Sequence, residues 1–111
     1  MMFPKHNYVR SKKLLENARK IPCQHCGADD GTVVAAHTNW GGGKGRGIKA
    51  DDNLIASLCF NCHNQLDQGT TMTKAQRMVM WFDAHYLTVN ALHILGLWPD
   101  DVPNPIRVST D

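Results

Sequence analysis

Two cysteine pairs with the same two-residue gap constrain this chain more than any other feature. The first pair is Cys23 and Cys26, and the second is Cys59 and Cys62. Four thiolates in this arrangement can complete one tetrahedral zinc site, which would staple a chain of 111 residues whose single core is small. The alternatives are two disulfides or four buried apolar side chains, and the latter rarely come as matched pairs. The pattern therefore predicts a structural Zn²⁺ ion.

Charge and hydropathy indicate the setting in which such a chain works. No apolar run is long enough to cross a bilayer and no signal peptide is recognisable, so we expect a cytoplasmic protein without a membrane partner. A reducing cytosol also favours thiolates over disulfides. The formal net charge is only +2, but lysine and arginine are concentrated in the first twenty residues. A basic end of this kind suits a polyanion such as DNA.

The chain is predicted to form one α+β domain. Its parts are a basic helix over 1–20, a zinc-clamped core over 21–69, a long covering helix over 73–96 and a tail over 97–111. Within the core, β-branched and apolar runs predict strands over 32–36 and 54–58, and a helix follows from about Phe60. The charged face of the first helix is compatible either with simple solvation or with contacts to phosphates.

The covering helix has a clear start and a clear apolar face. Thr73 and Gln76 have the spacing of a capping box, and Gly96 is expected to stop the helix. Apolar and aromatic residues recur at helical spacing and are predicted to form the core: Met78, Trp81, Phe82, His85, Val89, Leu92 and Leu95. Prolines are expected to make the tail that follows extended and to leave the C-terminal dozen residues loosely attached.

Three polar residues of the core stand at the joints between its predicted elements. His37 closes the first strand, Asn53 precedes the second, and His63 lies on the helix. Taken singly, each has an ordinary alternative, since most histidines are packed or exposed neutral side chains and asparagine commonly forms turns. Asp67 follows His63 by four positions, so both side chains share one helical face and could bind a common ion.

The segment between the strands is rich in glycine and carries three cations. Five of the seven residues over 41–47 are glycine, and Lys44, Arg46 and Lys49 alternate with small residues. Such a loop can approach a phosphate backbone with little steric bulk, which favours DNA contact over a hairpin tip with incidental charge. It is not a nucleotide-binding P-loop, because Lys44 is followed by glycine rather than Ser or Thr.

These motifs together resemble a known family. The resemblance is carried by Cys23-x-x-Cys26, Ala36-His37, Asn53-Leu54 and Leu58-Cys59-x-x-Cys62-His63, which are similar to the HNH endonucleases of the ββα-metal class. With Asp67 added, the pattern resembles the phage and prophage recombination nucleases of the Rap and YbcO type. The resemblance covers residues 21–69. It implies a zinc-stabilised, treble-clef-like ββα-metal core that hydrolyses DNA phosphodiester bonds in recombination or processing. It also suggests recombination proteins as partners.

The resemblance also implies roles for individual residues. His37 would be the general base, Asn53 would steady the hairpin, and His63 would bind Mg²⁺ or another divalent ion at the scissile phosphate. One position departs from the family, because many members have Asp or His where this chain has Ala36. Asp67 is the first candidate to replace that ligand and His37 the second. The departure keeps open a different function, that of a non-catalytic zinc module that only binds DNA.

Overall fold

A computed structural model describes residues 9–37, 51–68 and 71–106. The elements, in chain order, are helix α1 (Lys12–Ala18), strand β1 (Val34–His37), strand β2 (Ile55–Leu58), helix α2 (Phe60–Gln68) and helix α3 (Lys74–Ile94). The predicted α+β class is therefore confirmed. Within the described residues, none of these helices combines the length and apolarity that crossing a bilayer requires.

The two strands form an antiparallel pair in which His37 lies opposite Ile55 and Val34 opposite Leu58. The first strand begins later than the predicted residue 32 because the polar groups of Thr32 form hydrogen bonds within a local turn. Its amide and hydroxyl both donate to Asp30, at 3.0 and 2.6 Å, which turns the backbone away from an extended path. The strand then extends one residue further than predicted, so that His37 belongs to it.

Helix α1 is shorter than the basic helix predicted over 1–20, of which residues 1–8 lie outside the described part. Ser11 caps the helix, since its hydroxyl accepts a hydrogen bond from the amide of Leu14. The residues before the cap are fixed by the segment that leads into β2. The amide of Asp52 donates to the carbonyl of Val9 at 2.8 Å, and the Val9 amide donates to the Asp51 carboxylate at 3.1 Å.

Helix α3 begins with the predicted capping box and lies against the hairpin. Three of its side chains, spaced at four and three residues, reach hairpin backbone atoms. Trp81 Nε1 donates to the carbonyl of Ala36 at 3.0 Å, and His85 Nδ1 lies 2.6 Å from the carbonyl of Ile55. One turn further on, the Thr88 hydroxyl accepts a hydrogen bond from the amide of Ser57 at 2.9 Å. The helix thus holds the hairpin by polar contacts as well as by apolar packing.

The predicted core face of α3 is right in its centre and wrong at two positions. Trp81, His85, Val89 and Leu92 are buried and Met78 is half-buried, whereas Phe82 and Leu95 are 45% and 60% exposed. A helix turns about 100° per residue, so the residue after a central contact such as Trp81 points well to the side of the hairpin. The ring of Phe82 meets the Trp81 indole edge-on with one face in solvent.

The segment after α3 is packed, so the expectation of loose attachment is wrong for residues 100–106. Trp98 and Val102 are buried with Leu14 of α1 and Leu92 of α3 in one apolar cluster. The indole of Trp98 donates to the carbonyl of Val102 at 2.9 Å, which closes this segment on itself. Prolines make the backbone extended, but two large apolar side chains are enough to dock it.

Candidate metal centre and adjoining cleft

The structure brings the four cysteines into one cluster. Their sulfur atoms all lie within 4.8 Å of one another, and Sγ of Cys26 is 3.6 Å from Sγ of Cys59. A tetrahedral zinc–thiolate site with Zn–S bonds of about 2.3 Å separates its sulfurs by about 3.8 Å, so the arrangement is compatible with structural zinc. All four thiols are free of disulfides. Exposed His25 is not a member of this group, which is the only one of three or more metal-ligating side chains within the described residues.

A tight turn presents the first pair. The amide of Cys23 donates to the carbonyl of Ala28, and the amide of Gly27 donates back to the carbonyl of Cys23. Gly27 has a φ of +83°, a left-handed conformation that a side chain would disfavour. The turn is attached to the hairpin, because the Gln24 amide donates to the carbonyl of Ser57 in β2 at 2.8 Å. The glycine in the sequence motif is thus explained by backbone geometry.

The electrostatics of the cluster favour a cation. Burial of the Cys23 thiol opposes ionisation, but hydrogen bonds from the backbone of Cys26, Cys59 and His25 outweigh it and lower the pKa of Cys23 to about 6. Burial and the neighbouring sulfurs instead raise the pKa of Cys62. Several thiolates this close repel one another, and a divalent metal ion is what removes that repulsion.

The second pair is built into the start of α2. Cys59 precedes the helix, Cys62 lies in its first turn, and the amide of His63 donates to the carbonyl of Cys59 at 2.9 Å. The hydroxyl of Thr32 accepts the amide of Phe60 at 3.0 Å, so a residue from the first half of the core satisfies one of the free amides of this helix. The sequence pattern predicted Thr32 in a strand and did not indicate this hydrogen bond.

A cleft of about 390 Å³ lies between β1, α2 and α3. It is lined by Val34, Ala35, Ala36, His37, His63, Leu66, Asp67 and Trp81. Three of the residues predicted for the catalytic site, His37, His63 and Asp67, therefore face one space, although they come from a strand and a helix that are separated in sequence. A cleft with apolar walls and a few convergent polar groups is typical of a ligand or active site.

His37 is engaged on one side of its ring. Nε2 lies 3.0 Å from Oδ1 of Asp52, and the His37 side chain is 35% exposed while that of Asp52 is 11% exposed. The same carboxylate accepts the amide of Ser11 at 2.8 Å through Oδ2, and a guanidinium nitrogen of Arg10 lies 4.0 Å from Oδ1. Sequence reasoning missed Asp52. The signal was an acidic residue directly before Asn53, placed just beyond the strand end that pairs with His37.

His63 and Asp67 form a pair on the exposed side of α2. Nε2 of His63 lies 3.4 Å from Oδ2 of Asp67, and both side chains are well exposed, at 40% and 43%. The pair offers one imidazole nitrogen and one carboxylate, a donor set that divalent metal ions accept, and leaves room for water and a ligand. The spacing argument from the sequence therefore leads to an actual juxtaposition.

Ala36 contributes a backbone atom rather than a ligand side chain. It is buried, and its carbonyl accepts the hydrogen bond from Trp81. Asn53 is also buried, and its side-chain amide donates to the carbonyl of Pro103 at 3.0 Å. This contact ties the start of β2 to the C-terminal segment, a partner that the sequence did not indicate. The predicted DNA-binding residues Lys44, Arg46 and Lys49 lie outside the described residues.

Comparison with known proteins finds no relative of this chain. The chain matches no family model, no curated protein and no solved structure. What can be said of its function therefore depends on the residues and their geometry.

Proposed function

We propose that this protein is a metal-dependent DNA endonuclease of the HNH type. The observation that supports the proposal most is the shared cleft, which His37 of the hairpin lines together with the His63–Asp67 pair of α2. Phosphodiester hydrolysis needs a base for the attacking water and a cation for the charge that develops on the phosphate. Strand β1 offers the first of these groups to the cleft, and helix α2 offers ligands for the second.

His37 is the general base in this proposal. A water molecule attacks phosphorus, the new P–O bond forms as the P–O bond to the leaving oxygen breaks, and the water proton passes to a ring nitrogen of His37. Imidazole suits this task because its charge changes near neutral pH. The side chain is partly open to the cleft and is held at its other edge by Asp52, so it can meet a substrate without losing its orientation.

His63 and Asp67 are the proposed ligands of a divalent ion such as Mg²⁺. When bound, that ion would neutralise negative charge on the phosphate and on the leaving oxygen. The 3.4 Å between imidazole nitrogen and carboxylate oxygen allows both to contact one ion without moving the helix backbone. The four-cysteine cluster is assigned a separate, structural Zn²⁺ ion, since three of its four cysteines are buried and all are sulfur donors.

DNA contact is proposed for two basic segments. One is the glycine-rich stretch with Lys44, Arg46 and Lys49, and the other is the start of α1, where Lys12 and Lys13 are exposed. The resemblance to nucleases of phage and prophage recombination suggests DNA recombination or processing as the setting, with recombination proteins as partners.

A non-catalytic zinc module that binds DNA is the second candidate. Ala36 favours it, because this buried side chain cannot bind a metal ion where many HNH enzymes have a ligand. The enzyme is preferred because a module that only binds DNA has no use for two histidines and a carboxylate gathered in one cleft.

The deciding experiment is a cleavage assay with purified, zinc-loaded protein on supercoiled, linear and branched DNA. Mg²⁺ or Mn²⁺ is added or withheld, and the protein is compared with His37→Ala. We expect cleavage only with a divalent ion, and a loss of about 10²–10⁴-fold in His37→Ala with DNA binding retained. Undiminished cleavage by His37→Ala would refute the assignment of His37 as the general base. A parent that binds DNA but cuts nothing under any divalent ion would favour the DNA-binding module.

A further inference from the structure

One carboxylate, that of Asp52, contacts both the histidine of the cleft and the segment before α1. Oδ1 lies 3.0 Å from Nε2 of His37, and Oδ2 accepts the amide of Ser11 at 2.8 Å. The backbone amide of Asp52 also donates to the carbonyl of Val9, so both the backbone and the side chain of this residue are tied to the strap formed by residues 9–11. The side chain is largely buried, which strengthens both contacts.

We propose that Asp52 is a positioning residue for the base of the nuclease reaction, and that it fixes neutral His37 as the Nε2–H tautomer with Nδ1 as the proton acceptor. This inference rests on the proposed function for its catalytic meaning, but the orientation itself does not. An ionised carboxylate can only accept hydrogen bonds, so Nε2 must carry the hydrogen that the contact requires. No other hydrogen bond to the ring is present within the described residues, which leaves Nδ1 available to a substrate water.

The contact with Ser11 makes the substitution Asp52→Asn unusually informative. A backbone amide is an obligate donor, so the Asn oxygen must face Ser11 and the Asn amino group must then face His37. Nε2 would have to accept that hydrogen bond, and the neutral ring would carry its hydrogen on Nδ1 instead. A nearly isosteric change is therefore expected to invert the tautomer and to block the nitrogen that takes the proton. The same change in Ser-His-Asp triads lowers kcat about 10⁴-fold through the wrong tautomer.

The test uses the full zinc-loaded chain labelled with ¹⁵N-histidine. Two-bond ¹H–¹⁵N spectra are recorded at about pH 8, where neutral imidazole predominates, and His37→Gln assigns the signals. We expect Nε2–H in the parent and Nδ1–H in Asp52→Asn. Asp51→Asn is the matched control, since it makes the same charge change one residue away, at a carboxylate that accepts the amide of Val9. It should retain the tautomer of the parent.

Cleavage and binding are measured on the same three proteins. Asp52→Asn should cut about 10²–10⁴-fold more slowly than the parent without weaker DNA binding, and Asp51→Asn should cut at nearly the parent's rate. A parent ring with its hydrogen on Nδ1, or an Asp52→Asn ring unchanged from the parent, overturns the inference. So does an inverted tautomer that leaves the cleavage rate intact.

Two results separate this inference from the proposed function. If the parent shows Nε2–H but cuts no DNA, the nuclease is overturned and the orientation of His37 by Asp52 stands. If Asp52→Asn folds poorly, the parent spectrum still decides the orientation, because it needs no substitution at that position.

Discussion

Trp81 donates a 3.0 Å hydrogen bond from its indole nitrogen to the carbonyl oxygen of Ala36, the residue directly before His37. The covering helix therefore fixes the end of the strand on which the proposed base stands. Trp81 also lines the cleft, so the same side chain forms part of the cleft wall and holds the backbone of β1. This contact connects the stability of the fold with the geometry of the candidate site.

Trp81→Phe tests that connection, since it keeps an aromatic ring and removes the donor. Loss of this buried hydrogen bond and of part of a buried ring should lower the free energy of unfolding by about 1–3 kcal/mol, and cleavage should fall as well. Urea denaturation and the cleavage assay measure the two effects. Phe82→Leu is the control, because the neighbouring ring is 45% exposed and should change stability by less than about 0.5 kcal/mol. Equal stability of the two variants would contradict the role given to the indole.

The four cysteines are predicted to bind one zinc ion per chain. Binding energy at such sites is folding energy, about 10–16 kcal/mol in zinc-finger peptides, so a chelator should unfold the hairpin. Metal analysis and circular dichroism check this, with Cys59→Ser losing the metal. His25→Ser should keep it, because His25 lies between Cys23 and Cys26 in sequence but outside the sulfur cluster. The prediction fails if protein purified without chelators holds no zinc and all four thiols titrate freely.

Lys44, Arg46 and Lys49 are predicted to contact backbone phosphates. Changing all three to Ala should weaken binding similarly on every DNA sequence and should lower the salt dependence, by about 0.9 in the log–log slope for each phosphate that the variant no longer neutralises. Exchanging Lys for Arg and Arg for Lys at the same positions is the control that keeps the charge. Should the alanine variant retain the affinity and salt slope of the parent, the segment would be only a connector.

His63→Ala and Asp67→Ala are expected to weaken binding of the divalent ion. The concentration needed for half-maximal cleavage should rise by at least about tenfold, since even outer partners of a bound metal are typically worth 10–100-fold. Titration of Mg²⁺ or Mn²⁺ into the cleavage reaction gives this value. Gln65→Ala, an exposed position of the same helix away from the cleft, should behave as the parent does. Identical titration curves for all these proteins would exclude the pair as ligands.

Stability is predicted to fall on mild acidification because of His85. Burial lowers the pKa of His85, although its hydrogen bond to the carbonyl of Ile55 opposes the shift. The unfolded chain therefore takes up a proton at an ordinary imidazole pKa of about 6.5, before the folded protein does. The stabilisation is complete above that pH and is lost as the pH falls from there towards the lowered pKa, by up to about 1.4 kcal/mol per pH unit.

Unfolding of parent and His85→Gln, followed at several pH values between 5 and 8, measures this contribution. The difference in stability between the two should shrink as the pH falls. A difference that stays constant over this range would assign the acid sensitivity to other groups.

Local rules explain which features could be predicted from the sequence. The matched cysteine pairs indicate a common site by residue type and spacing alone, although the fold brings them together across 33 residues. The Thr73–Gln76 capping box needs only neighbouring residues and is present as expected. The β-branched run before His37 likewise forms a strand, with its start at Val34. The pairing of His63 with Asp67 is of the same kind, since a helix brings residues four apart together.

The features that the sequence did not reveal depend on contacts between distant segments. Asp52 acquires its place through the strap before α1, which is 41 residues away along the chain. Asn53 meets the carbonyl of Pro103 across 50 residues. Phe82 was assigned to the core because helical periodicity gives the width of an apolar face but not its centre, and polar contacts of Trp81 with the hairpin set that centre.

Cys62 and His63 are adjacent, yet the first directs its sulfur into the cluster while the second faces the cleft. Successive residues of a helix are rotated by about 100°, so the direction of one side chain fixes the direction of the other through the backbone of α2. An ion that draws the sulfurs together would therefore set the rotation of α2 about its own axis. The orientation of His63 would then depend on that coordination, so a zinc ion held by the four cysteines would also align the proposed ligand of the catalytic ion.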